Sequence, residues 1–200
     1  MTHELILVRH GETVHNVAGI TQGWSDSALS ERGREQVRAL AVRVARLEPS
    51  AIFSSPLDRA MSTARAIAET TGLQIVALDD LREMNYGQWE GRSFRDIRAG
   101  DPEVVRRWFD DADCACPGGE SHNDVRARMA RAFEEAASSE RAVLVSHGTA
   151  IRVGATILLN TPVMTSRHLA QDNAALNLFV RRGERMVMKL WNDTSHHVER

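Results

Sequence analysis

The stretch Leu5-Ile6-Leu7-Val8-Arg9-His10-Gly11-Glu12-Thr13 decides the fold. Four aliphatic residues in a row, closed by a glycine, read as a short buried strand. Arg9 and His10 then stand at its carboxyl end, and Gly11 is expected to let the backbone turn sharply. Open α/β sheets bind ligands just beyond the carboxyl ends of their strands. An arginine next to a histidine suits phosphate there, because the guanidinium fits phosphate oxygens and a neutral imidazole can attack phosphorus.

Outward from this strand, apolar runs and helical patterns alternate, which implies parallel strands with crossover helices. A loop rich in Gly, Thr and Asn is expected over 11–27. Ser30 reads as the N-cap of a helix carrying Val37, Leu40, Ala41, Val44 and Leu47, with Pro49 as its stop. A strand over 51–54 is followed by a helix over about 57–70, closed by Gly72, and by a strand over 74–78. The stretch 80–119 differs: it holds Tyr86, Trp89 and Trp108 and is broken by Gly100, Pro102 and Pro117. It is read as a small helical lid inserted at about 80–120. A helix over 123–138, a strand over 142–145 and a helix over 149–159 come next. Strands over 174–180 and 186–190 then form a hairpin around Arg182-Gly183. The expected fold is α/β over residues 1–200 as one domain. It is a three-layer α/β/α sandwich whose mostly parallel sheet has an antiparallel edge.

Composition narrows the chemistry. A hydrophobic content of 42%, a charged content of 26% and a formal charge of -2 belong to an ordinary globular protein. They argue against a nucleic-acid or membrane-surface binder. No apolar run approaches the roughly 20 residues of a membrane span. The start, Met1-Thr2-His3-Glu4, lacks the character of a secretory leader, so a cytoplasmic protein is expected. Cys114 and Cys116 are read as inert loop thiols. Lys189 is the only lysine. It falls in a predicted edge strand, which removes the P-loop and leaves phosphate recognition to arginine and histidine. Neither H-E-x-x-H nor a C-x-x-C pair occurs, so no metal and no cofactor is expected.

Two strands end alike, in Val8-Arg9-His10-Gly11 and Val145-Ser146-His147-Gly148. If the two strands are parallel neighbours, both histidines reach one rim, and His147 can stabilise charge on a phosphate oxygen. Arg59 falls in the first turn of the helix after Ser54-Ser55-Pro56, near the same rim, where an arginine at a helix N-terminus suits an anion. Glu83 is a candidate acid, since cleavage of a phosphomonoester leaves an alkoxide that a placed carboxylic acid can protonate. Glu90 is the alternative acid, read instead as a structural cap.

These segments resemble the histidine phosphatase (phosphoglycerate mutase-like) superfamily, and its small phosphatase branch most closely. The resemblance rests on Arg9-His10-Gly11-Glu12, on Ser54-Ser55-Pro56-Leu57-x-Arg59-Ala60-x-x-Thr63-Ala64, on Glu83 with Gly87, Trp89, Glu90 and Gly91, and on Ser146-His147-Gly148. It implies His10 as nucleophile, forming a phosphohistidine that water hydrolyses, and Glu83 as acid and base. Arg9, Arg59 and His147 would bind the phosphate, with Asn16, Gln22, Gly23 and Gly148 at its edge. Asn192-Asp193-Thr194-Ser195-His196 resembles the C-terminal segment of small family phosphatases, which would bring His196 to the far end of the substrate. His15, Trp24, Trp108 and His168 are weaker candidates for that surface.

The reading is a metal-independent phosphomonoesterase for a small phosphorylated metabolite. The alternative is a phosphoglycerate mutase dependent on a bisphosphoglycerate primer. Mutases of the family carry a longer, basic insert between the acid/base motif and the second histidine. Here that interval is short and holds Asp110, Asp111 and Asp113 after Arg106-Arg107, which favours hydrolysis. A catalytically silent member would have lost one of Arg9, His10, Arg59, Glu83 or His147, and all five are present. The terminal hairpin offers an edge strand through which a homodimer could form.

Overall fold

The opening apolar run becomes the last of four parallel strands, next to the antiparallel edge, and is buried on both of its faces. The computed structural model describes residues 4–197, so residues 1–3, read above for leader character, lie outside it. In chain order the elements are β1 (Glu4–Arg9), α1 (Val14–Ala18), α2 (Glu31–Ala45), β2 (Ala51–Ser54), α3 (Asp58–Thr71), β3 (Ile75–Ala77) and α4 (Phe94–Gly100). Then follow α5 (Pro102–Asp110), α6 (His122–Ala136), β4 (Arg141–Ser146), α7 (Gly148–Leu158), β5 (Leu176–Arg182) and β6 (Arg185–Asp193). One six-stranded sheet has the order β3-β2-β4-β1-β5-β6. β3, β2, β4 and β1 run parallel, and β5 and β6 add the antiparallel edge. This is the expected mixed sheet.

Alternation along the strands sorts the core into two layers, because successive side chains point to opposite faces. Leu5, Leu7, Ala142 and Leu144 pack with Val125, Met129 and Ala132 of α6 and Ala150, Ile151 and Val153 of α7. Ile6, Val8, Val143 and Val145 pack on the other face with Leu40, Ala41 and Val44 of α2 and Ala60, Ala64 and Ile67 of α3. The helices begin at side-chain caps: Ser30 for α2, and Ser121 with Asp124 in a capping box for α6. Gly72 ends α3 in the left-handed conformation at φ 74°, which glycine adopts without steric cost.

Two expectations near the first strand change. α1 occupies part of the stretch expected to be loop. Thr13 and Asn16 cap it reciprocally, and none of its five residues is buried, so it carries no apolar period to reveal it. Gly11 does not make its turn through a positive φ. A Cβ there would lie 2.6 Å from Val37 Cγ2 and 2.8 Å from the Gly33 carbonyl oxygen. The glycine is needed so that α2 can pass close to the end of β1.

Candidate active site

Parallel pairing of β1 with β4 sets Arg9 opposite Ser146, so His10 and His147 are the first residues past the paired ends. Their ring centroids are 5.1 Å apart. Both are buried. His10 Nδ1 lies 2.7 Å from the Gly11 carbonyl oxygen. A carbonyl can only accept, so Nδ1 carries the proton and Nε2 keeps the lone pair in the neutral ring. Burial, with Arg9 and Arg59 adding to it, holds the His10 imidazolium form well below its ordinary range. His147 is shifted the same way by burial, then by Arg59 and His10. Its Nε2 sits 2.8 Å from Ser55 Oγ at the end of β2.

Arg9 donates through Nη1 to the Gln171 carbonyl. Arg59 is almost wholly buried and donates to the carbonyls of Ser25 (2.8 Å) and Gly23 (2.6 Å) and to Asp26 Oδ1 (3.0 Å). Asp26 also accepts the amides of Asp58 and Arg59, so a residue from a distant loop caps α3 where the local N-cap, Leu57, has no side-chain bond to offer. Each of the two guanidinium groups keeps a buried Nε–H that no protein group accepts.

Glu83 faces the start of α7. Oε1 accepts the amides of Met84 (2.8 Å) and Ala150 (3.1 Å), and Oε2 accepts that of Thr149 (3.1 Å). Oε2, with one amide, retains a lone pair for a proton. Arg128, unremarked in the sequence, reaches under this segment to the carbonyls of Asp80, Arg82 and Glu83 and to the Glu120 carboxylate.

Arg9, His10, Asn16, Gln22, Gly23, Arg59 and Glu83 line one cavity of about 300 Å³, with Phe94 and Ile97 of α4 and Trp108 and Phe109 of α5 among its walls. His147 stands behind His10 and does not line it. Gly148 opens α7, where a Cβ would come 3.5 Å from Arg9 Cζ, so its smallness leaves room for that guanidinium. His196 is not brought to this cavity. It lies against the Ala174 carbonyl, with its Nε2 3.0 Å away. His15 and His168 are also absent from its lining. Trp24 donates its indole N–H to the Glu83 carbonyl at 2.8 Å. Glu90, the alternative acid, accepts the amides of Trp24, Ser25 and Tyr86, the role of a structural cap. Among the described residues no three His, Cys, Asp or Glu side chains cluster as a metal site.

Sequence reasoning passed over Asp26, Ser55, Arg128 and Arg152. Asp26 and Arg128 act through loop and backbone contacts that no spacing encodes, and Ser55, although it stands in the quoted second motif, meets the His147 ring only through the fold. Arg152 had a signal: it lies four residues after Gly148, one helical turn further along the same face of α7.

The family description "histidine phosphatase superfamily (branch 1)" matches residues 5–194. The chain belongs to that superfamily. It is 35% identical to a metal-independent phosphoserine phosphatase of Arabidopsis thaliana, over 96% of this chain and 82% of that one. It is 34% identical to phosphoserine phosphatase 1 of Hydrogenobacter thermophilus, over 96% and 93%. A mycobacterial glucosyl-3-phosphoglycerate phosphatase solved with VO3 superposes with a TM-score of 0.89 at 36% identity, covering 96% of this chain and 99% of that one. With phosphatases as relatives across nearly its whole length, this histidine phosphatase superfamily member is itself a phosphatase, and the mutase alternative is not favoured.

Proposed function

We propose that the chain hydrolyses a small phosphorylated metabolite through a phosphohistidine on Nε2 of His10. The carrying observation is the 2.7 Å contact between His10 Nδ1 and the Gly11 carbonyl oxygen: an acceptor there assigns the ring proton to Nδ1 and leaves Nε2 as the nucleophile beside two arginines. In the first step the Nε2–P bond forms, the P–O bond to the organic group breaks, and Glu83 gives its proton to the leaving oxygen. In the second, water attacks phosphorus, the N–P bond breaks and Glu83 takes the water's proton. Arg9 and Arg59 offer their unpartnered Nε–H groups to phosphoryl oxygens, and their fixed charges stabilise the equatorial oxygens. His147, neutral and oriented by Ser55, buttresses His10 from behind.

Asn16, Gln22 and Gly23 line the mouth on one side, and the helical stretch over 80–120 forms the other as a lid. Relatives named for phosphoserine and for glucosyl-3-phosphoglycerate make these the first compounds to test. We infer a cytoplasmic enzyme, consistent with the free Cys114 and Cys116, and a homodimer formed through β6 at the sheet edge. Fractionation and light scattering test these two points. No helix among the described residues is long and apolar enough to cross a membrane.

The test of the main reading is phosphate release from a panel of phosphomonoesters in excess EDTA, with wild type beside His10→Ala. Release that survives EDTA and is lost in the variant is the expected result. Release abolished by EDTA, or undiminished in the variant, contradicts it.

A further inference from the structure

Glu83, the acid of the proposed reaction, stands in a stretch that has no helix or strand of its own. Its carboxylate end is held by α7, through the amides of Thr149 and Ala150. Its backbone end is held by α6. There the buried Arg128 donates through Nη1 to the carbonyls of Asp80 (2.9 Å) and Arg82 (2.6 Å). Nη2 donates to the Glu83 carbonyl (3.0 Å) and to Glu120 Oε2 (3.1 Å), and Nε donates to Glu120 Oε1 (2.9 Å). Five acceptors thereby meet the five N–H groups of one guanidinium. The remaining carbonyl of the run, that of Leu81, accepts from Ser146 Oγ at 2.7 Å. Glu120 also accepts the amide of Asn85 at 2.7 Å, so the same ion pair grips the chain just past the acid.

An ion pair with Glu120 needs only one edge of the fork. The other three N–H groups go to carbonyls of the segment that carries the acid, a geometry that the three donors of a lysine nitrogen cannot reproduce. Arg128 does not line the active-site cavity, so any effect it has on the reaction passes through Glu83. We propose that Arg128 is a positioning residue for proton transfer. It fixes the backbone of Glu83 while α7 fixes the carboxylate, and the two holds together set the distance from the carboxyl oxygen to the leaving oxygen. A misplacement of about 1 Å at such a group costs on the order of a hundredfold in rate. The inference rests on the reading of Glu83 as the acid and adds the residue that makes that reading work.

Leaving groups that differ in their need for a proton test this. p-Nitrophenolate departs as a stable anion, whereas phenolate, whose conjugate acid has a pKa of about 10, gains from protonation as it leaves. p-Nitrophenyl phosphate and phenyl phosphate are compared by kcat/KM, which reports the step that forms the phosphoenzyme. If neither ester is accepted, O-phospho-L-serine and S-phospho-L-cysteine make the same comparison, because the thiolate leaves without help. Glu83→Gln sets the scale and should lower the proton-requiring ester at least about a hundredfold more than its partner. Arg128→Met should show the same split at about tenfold or more, and Arg128→Lys a smaller one. Arg128→Met strands Glu120, so its combination with Glu120→Gln is made beside it and should keep the split in a more stable protein. Arg131→Ala removes an exposed ion pair to Asp80 (2.6 Å) on the same stretch and should leave the wild-type ratio unchanged. A merely structural role for Arg128 would lower both esters together and leave their ratio intact. A split in Glu83→Gln with none in the folded Arg128 variants overturns the proposal, as does an equal split in Arg131→Ala. No split in Glu83→Gln removes the acid reading itself, and the proposal with it.

Discussion

The rim of the sheet and the roof above it are built in different ways. At the rim, His10 and His147 are placed by two paired strands, so backbone register alone brings them to 5.1 Å. The roof consists of the turn at 22–26 and the stretch that begins at Glu83. There the position of the chain is set by single carboxylates that collect backbone amides: Asp26 takes those of Asp58 and Arg59, and Glu90 those of Trp24, Ser25 and Tyr86. A ladder spreads its free energy over many bonds, whereas a carboxylate clamp concentrates it in one side chain. The two histidines thus rest on a part whose placement is shared among many bonds, whereas the roof, with Glu83 in it, is placed by single side chains.

The sharpest way to break this contrast is Glu83→Gln, since Glu83 belongs to the roof by position and to the chemistry by proposal. Loss of the acid should lower kcat by roughly 10²–10⁴-fold. A loss confined to KM would move Glu83 from chemistry to positioning. Next comes Asp26→Ala, which strands the buried Arg59 and uncaps α3 at once. About 2–3 kcal/mol of unfolding free energy should be lost in urea titration, together with a higher KM for the phosphomonoester. Glu90→Ala should raise KM with kcat held within a few-fold, and an equal fall of both would show that rim and roof are not separable.

A pH prediction sharpens the rim side. His10, His147 and His122 have folded-state values depressed below the ordinary 6.5, His122 to about 4. Between about pH 6.5 and 4 the unfolded chain binds protons that the folded one refuses. Stability from these groups is therefore complete above pH 6.5 and falls as the pH drops. The urea midpoint should be lower at pH 5 than at pH 7.5, and a midpoint that holds constant would mean the histidines titrate in place. The smallest effect expected is that of Trp24→Phe, which removes one indole bond to the Glu83 carbonyl and should cost about 1 kcal/mol.

The same division explains what could be read in advance. β1, β4 and the residues that follow them are legible because a buried apolar run ending in a chemically loaded pair is a local pattern. Arg59 and Glu83 are legible through the motifs around them. Asp26 and Arg128 are not: each serves backbone groups dozens of residues away, and nothing in the neighbouring sequence marks an aspartate as the cap of someone else's helix. α1 escaped because a five-residue capped turn with no buried side chain has no period. Gly11 was noticed for a turn, yet its smallness serves the approach of Gly33 and Val37, a contact set by the packing of α2. His196, proposed for the substrate's far end from its motif, lies instead against the Ala174 carbonyl.

The central claim is that His10 attacks through Nε2 because the Gly11 carbonyl holds the proton on Nδ1. Wild-type enzyme mixed with a turned-over phosphomonoester and quenched in alkali within milliseconds, then mapped by mass spectrometry and ³¹P NMR, tests it directly. The account predicts phosphate on His10 alone, attached at Nε2. Phosphate on Nδ1 or on His147, or a burst of hydrolysis with no phosphoenzyme at any time, would contradict it.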